Sequence, residues 1–139
     1  MQITIQVKNA ELVKRGLANI RAEIPKISER TIKKAADAIV KQMRVYPPER
    51  TGQRYVRTFK LRDSWRVKPV SKGFTVASGV SYGRYVVGTP TGAIGGGGQA
   101  WMHVGRWLLF RDVAEYETSL LPPMVEEHIR LKVAQEKLA

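Results

Sequence analysis

The sequence predicts an α+β fold, an antiparallel sheet with a hairpin packed against a long amphipathic helix and followed by C-terminal helices. Three observations carry this. Apolar and polar residues alternate over residues 2–8 and again over 64–80, the period of half-buried strands. Between these runs Ile32, Ala35, Ala36, Ile39, Val40 and Met43 recur at helical steps and form one stripe. From Arg106 helical spacing resumes, and Pro122 and Pro123 divide it into two segments. At 139 residues the chain suits a single domain, 1–139, with room for a real core. It contains no internal repeat and no dividing linker.

Ile3, Ile5 and Val7 alternate with Gln2, Thr4, Gln6 and Lys8, which predicts a first strand over 2–8. At Asn9, a plausible N-cap, the period changes, and Leu12, Val13, Leu17 and Ile20 fall at helical spacing. Pro25 interrupts this helix and suits the first turn of the next, where its missing N–H is not needed. The second helix is expected over about 26–45, its opposite face carrying Arg30, Lys33, Lys34, Lys41 and Arg44. Burial of the stripe's branched side chains, at roughly 1.5–3 kcal/mol each, dominates its stability, so the basic face is free to bind.

Tyr46, followed by Pro47 and Pro48, ends that helix. Strands are expected from Ser64 to Val70 and from Phe74 to Val80, joined through Ser71-Lys72-Gly73 as a hairpin. Ser81 to Val87, with Tyr82, Tyr85, Val86 and Val87, reads as a third neighbouring strand or a short loop and strand. The segment of about 88–100 holds Gly92 and the run Gly95 to Gly98. Such a loop is expensive to order alone, so a mobile loop is expected. From Arg106 the residues Trp107, Leu108, Phe110, Val113 and Ala114 predict a helix, extended by Leu120 and Leu121. A last helix, about 122–138, places Glu126 and Glu127 in its first turn and Lys132 and Lys137 later, complementing the helix dipole. Its apolar residues Val125, Ile129, Val133 and Leu138 are few, which suggests docking on another subunit.

The net charge of +12 is uneven. Residues 41–72 hold ten cations and two anions, whereas the chain beyond residue 110 holds four and six. A clustered positive field points to a polyanionic partner, nucleic acid before an acidic membrane, with a solvated basic face as the bland alternative. The absence of cysteine removes disulfides and thiolate metal sites and fits a reducing compartment. No apolar run approaches 18 residues, and neither a signal peptide nor a membrane span is expected.

Motifs for chemistry are sparse. His103 and His128 are the only histidines, and neither has a second histidine at metal-ligand spacing, so neither a metal nor a cofactor is expected. His103, between Trp101 and Trp107, reads as a packed or hydrogen-bonded side chain, because a general base needs a positioned partner. The glycine run lacks the Gly-Lys-Ser/Thr ending of a phosphate-binding loop. Glu49 and Asp63, amid arginines, read as ion-pair partners. Tyr55, Phe59 and Trp65 are expected in the core before a base-stacking platform.

The order of Tyr46-Pro47-Pro48, Arg50-Thr51-Gly52 and Arg57-Thr58-Phe59-Lys60-Leu61-Arg62-Asp63-Ser64-Trp65 resembles the tail-completion or neck proteins of long-tailed DNA phages. That family includes the minor tail protein Z type. The similarity extends over most of the chain, through Tyr82-Gly83-Arg84-Tyr85-Val86-Val87-Gly88, Gln99-Ala100-Trp101-Met102-His103 and Gly105-Arg106-Trp107. Phe59 departs from the family, whose members often have glycine there. The resemblance implies a structural protein and not an enzyme. It implies a homo-oligomeric ring, hexameric or dodecameric, between head-closure and tail-terminator or tail-tube proteins in the virion neck or tail, after assembly in the host cytoplasm. Genome double-stranded DNA would pass through the lumen.

On this reading Arg44, Arg50, Arg54, Arg57, Lys60, Arg62 and Arg66 are candidates for sequence-independent contact with DNA or with a neighbouring subunit. Gly95, Gly96, Gly97, Gly98, Trp101, Glu126 and Glu127 are candidates for the oligomer interface. Six copies of residues 41–72 carry about +48, yet a ring about 20 Å thick encircles only about twelve phosphate charges at one per roughly 1.7 Å. Part of the cluster is therefore expected to pair with a neighbour's acids, with Glu115, Glu117, Glu126 and Glu127 as candidates. Two other readings stand beside this one, a small basic toxin-type ribonuclease using His103 and a non-viral DNA-binding module.

Overall fold

The computed structural model describes residues 1–6, 24–53 and 57–135. In chain order it comprises β1 (Gln2–Gln6), α1 (Ile24–Met43), α2 (Lys60–Ser64), β2 (Trp65–Val70), β3 (Gly73–Ser78), α3 (Gly83–Val87), a 3-10 turn (Trp101–His103), α4 (Phe110–Ser119) and α5 (Leu121–Gln135). This is an α+β fold with one three-stranded antiparallel sheet in the order β1-β3-β2. The helix expected from Asn9, with Leu12, Val13, Leu17 and Ile20, lies outside the described residues, as do Arg54 and Tyr55.

The core forms where α1 crosses the sheet. All six residues of the predicted stripe, Ile32, Ala35, Ala36, Ile39, Val40 and Met43, are buried, and they pack with Ile5, Trp65, Phe74 and Val76 of the strands. Register explains the sheet's share. Ile5 lies opposite Phe74, and Ile3 and Val67 flank Val76, so the even residues of β3 and their partners face the helix. The other face carries Thr4 and Thr75, whose hydroxyls meet at 2.8 Å. Helix α4 adds Phe110, Val113 and Ala114 to the core.

Several boundaries differ from expectation. Helix α1 begins at Ile24, with Pro25 in its first turn, and ends at Met43. The Val45 N–H then bonds back to the Gln42 carbonyl in a tighter closing turn. Ser64 belongs to the helical turn α2, because its hydroxyl bonds the Leu61 carbonyl at 2.7 Å and the Ser78 hydroxyl at 2.6 Å. Strand β3 stops at Ser78, two residues early, where that hydroxyl also accepts the Val80 N–H at 3.4 Å. The hairpin turns on Ser71 and Lys72, with Lys72 in the left-handed region at φ 60°.

The third strand expected over Ser81–Val87 is instead the short helix α3. Strand β3 is already flanked by β1 and β2, so no edge of it is left to pair. The Gly83 N–H bonds the Val80 carbonyl at 3.0 Å, and a Cβ on Gly83 would lie 3.1 Å from Leu61. Close packing on α2 thus overrides the strand preference of Tyr85, Val86 and Val87.

The helix expected from Arg106 begins only at Phe110, because Gly105 has φ 76° and Leu109 is extended. Trp107 and Leu108 therefore precede it. Helix α5 starts at Leu121, so Pro122 and Pro123 fill its first turn and Glu126 and Glu127 move to the second. The expected dipole complement is absent from that first turn. Both glutamates pair instead with Arg130, at 3.5 and 3.1 Å. Helix α5 lies on α1 of its own chain, where the Thr31 hydroxyl and His128 Nδ1 are 3.4 Å apart. Within the chain Val125 and Ile129 of this helix are half-buried, while Leu131 is 52% exposed.

Candidate functional site: an arginine-clipped aromatic cleft and an apolar rim

The stretch after α1 cannot continue a helix through Pro47 and Pro48, so it crosses the surface and must find partners for its polar groups. It finds them in the loop ahead of α4. Arg50 donates to the Met102 carbonyl at 3.3 Å, and Arg106 donates back to the Pro48 carbonyl at 2.9 Å. These two clips close an aromatic cleft of about 310 Å3.

Tyr46 is its hub. Its ring stacks on Phe59 at 5.2 Å and meets the edge of Trp107 at 4.6 Å, geometries favoured by ring quadrupoles. Arg57 lies over both partners, 5.4 Å from the Tyr46 centroid and 5.8 Å from that of Trp107. With its side chain only 12% exposed and Glu49 at 3.8 Å, Arg57 faces inward. Burial pushes the Tyr46 phenol above its usual range, partly offset by the Arg62 N–H it accepts at 3.1 Å.

Phe59 has φ 59°. A non-glycine side chain there is strained by about 1–2 kcal/mol. Its ring is held between Tyr46 and the Arg62 guanidinium, 4.3 Å away, contacts that hold the turn in place.

Three further candidate cations, Arg44, Arg62 and Arg66, are directed at their own chain. Arg44 donates to the Trp65 carbonyl at 3.2 Å, and Arg66 bonds the Asp63 and Trp65 carbonyls. Arg62 pairs with Asp63 at 2.8 Å, and that hydrogen bond, with Arg44 and Arg66 nearby, holds the Asp63 carboxyl below its usual range. Lys60 is exposed. The expected aromatic roles divide, because Trp65 is fully buried whereas Phe59 lines the cleft.

The glycine segment supplies its own hydrogen bonds. The Gln99 N–H bonds the Ala93 carbonyl at 2.8 Å, and the Gly95 N–H bonds the Gln99 carbonyl at 2.8 Å. The Gln99 side chain, 1% exposed, donates to the Val86 carbonyl at 2.9 Å and the Trp107 carbonyl at 3.3 Å. Sequence reasoning missed this staple, since nothing marks a glutamine after four glycines as buried. Beyond it Ile94, Trp101, Met102, Val104 and Leu108 form an exposed apolar rim, with Trp101 81% exposed. Of the expected acidic interface residues, Glu115 pairs with Arg111 at 3.8 Å and Glu117 accepts a bond from Gln42. Glu126 and Glu127 are held by Arg130.

His103 sits edge-on to Trp107 at 6.0 Å, and its Nδ1 is buried without a hydrogen-bond partner among the described residues. Desolvation first, then Arg106 and Arg50, lower its pKa below the usual 6.5. The unfolded chain therefore takes up this proton first. Stability from this group is intact above about pH 6.5 and declines as pH falls toward the folded pKa. Urea midpoints should thus drop between about pH 7.5 and about pH 5.5, and His103→Gln should flatten that drop. Equal pH dependence in wild type and variant would remove His103 as its source.

Comparison with protein-family models, curated proteins and solved structures finds no match.

Proposed function

We propose that the chain is a structural virion protein of a phage neck or tail-completion ring, joining head and tail around the DNA channel, with no bond-breaking role. The observation that carries this reading is the exposed rim of Ile94, Trp101, Met102, Val104 and Leu108. Contiguous exposed apolar side chains rimmed by polar residues mark a protein contact. The rim spans the Gly95–Gly98 loop and the 3-10 turn after it, where Arg50 bonds the Met102 carbonyl, and with the chain's excess of cations it offers a self-association surface on a polycationic chain. The motif order described above supplies the kind of assembly, and the partners it implies are copies of this chain, the flanking neck and tail rings and duplex DNA.

Purified protein should form annular oligomers as concentration rises, measured by light scattering and by electron-microscope images. Trp101→Ala should raise the concentration for half-assembly roughly 30-fold, the effect of about 2 kcal/mol at an interface hot spot. A wild type that stays monomeric at every concentration, or an assembly without a central opening, would sink the reading.

The ribonuclease reading draws on one observation, that His103, Arg57, Arg106, Tyr46 and Tyr82 line one cleft. It predicts RNA cleavage by the monomer that disappears in His103→Ala. The non-viral module predicts tight duplex binding by monomers.

A further inference from the structure

Helices α1 and α5 enclose a groove of about 430 Å3 whose lining carries cations and, among the described residues, no carboxylate. Arg30 and Lys34 stand on the α1 wall, His128 and Lys132 on the α5 wall, with Ile27 and Thr31 between. The helical period extends this cluster. At about 100° per residue, Arg30, Lys34 and Lys41 fall within about 40° of one another, a row about 16 Å long.

The acids of the two helices do not cancel that row. Asp37 falls about 20° from Arg30, within the row itself, and its charge is offset by Lys33 at 2.9 Å; Glu126 and Glu127 are held by Arg130 at 3.5 and 3.1 Å. Glu29 lies about 100° round the helix from Arg30. Lys34 and Lys41 are exposed, and no hydrogen bond or ion pair ties either within the described residues. Arg30 donates to the Lys26 carbonyl at 3.4 Å, a neutral partner that leaves its charge in place, whereas Arg57 and Arg62 are paired with the Glu49 and Asp63 carboxylates at 3.8 and 2.8 Å, and Arg44 and Arg66 lie near that same Asp63.

We infer that the α1–α5 groove and its row, more than the arginines of residues 44–66, are where this chain meets the phosphodiester backbone of duplex DNA. This inference rests on the neck reading above and names the surface that reading left open. A single phosphate would occupy the groove alone. A row of cations matches an anion with charge repeated along its length, which in duplex DNA recurs every roughly 1.7 Å.

The test is fluorescence anisotropy of a labelled mixed-sequence duplex titrated with the whole chain across about 50–200 mM salt. The triple variant Arg30→Gln, Lys34→Gln, Lys132→Gln should bind at least about tenfold more weakly near 0.1 M salt, with a salt slope about 2.7 shallower. The comparison triple Arg44→Gln, Arg62→Gln, Arg66→Gln should lose less than about threefold, because its guanidiniums share the Asp63 carboxylate. Arg30→Lys with Lys34→Arg and Lys132→Arg should bind like wild type. Circular dichroism and light scattering check that fold and oligomeric state are shared.

An unchanged groove triple beside a binding wild type overturns the groove alone, as does a larger loss in the comparison triple. Loss of binding in the charge-preserving variant does the same, since charge would not be the cause. A wild type that ignores duplex at every salt concentration overturns both the groove and the DNA contact of the neck reading.

Discussion

Trp65→Ala is expected to destabilise the chain by about 3–5 kcal/mol, the usual cost of removing a large aromatic from a packed core. Trp65 is fully buried where α2 hands over to β2, and its ring lies 4.9 Å from that of Phe110 in α4. Its carbonyl receives the guanidiniums of Arg44 and Arg66. The indole shares one core cluster with the α1 stripe, Val76 of β3 and Phe110 of α4. Against a typical total of about 5–15 kcal/mol, the loss is large and should lower the thermal midpoint by about 10 °C or more. Trp65→Phe separates cavity from polarity. The indole N–H has no partner among the described residues, so phenylalanine deletes an unsatisfied donor while leaving a smaller void. Its cost should be about 1–2 kcal/mol. Equal urea midpoints for the two variants would refute the cavity account.

The contrast between α1 and α3 shows which features a sequence can display. The α1 stripe was legible because twenty residues sample one face repeatedly, and no shorter-range preference opposes it. The β2–β3 hairpin was legible for the same reason. Helix α3 was not, since its strand-favouring Tyr85, Val86 and Val87 are decided by which strands already pair, which is tertiary information. Helix α2 was hidden behind Phe59, whose left-handed backbone no residue preference announces.

The candidate site was legible as composition and opaque as geometry. The sequence located the cations of residues 44–66, but their hydrogen bonds run to carbonyls such as Met102 and Trp65, set by tertiary approach. The basic face of α1 was legible from periodicity. Its junction with Lys132 of α5 depended on how two helices pack.

Gly98→Ala is the second large effect expected, and it is local. Gly95, Gly96 and Gly97 have positive φ with open space around them, so their requirement is conformational. Gly98 differs, because a Cβ there would lie 2.0 Å from the Ala93 carbonyl oxygen, which is backbone and cannot step aside alone. The alanine must push apart Ala93 and Gln99, breaking the 2.8 Å bond between them and drawing the buried Gln99 amide off the Val86 and Trp107 carbonyls. Steric strain of about 1–3 kcal/mol adds to a similar cost for polar groups left unpaired. The loop can open without the core, so the global midpoint should fall less than that sum. Hydrogen–deuterium exchange of residues 93–100 should accelerate by about 100-fold or more, at tenfold per roughly 1.4 kcal/mol. Gly96→Ala, which meets only the left-handed backbone cost of about 1–2 kcal/mol, should accelerate it about 5- to 30-fold. Trp101 follows this loop in the 3-10 turn, so under the proposed ring assembly the chain carrying Gly98→Ala should also assemble more weakly than one carrying Gly96→Ala. Unchanged protection of residues 93–100 in Gly98→Ala would show that the staple does not hold the rim in place.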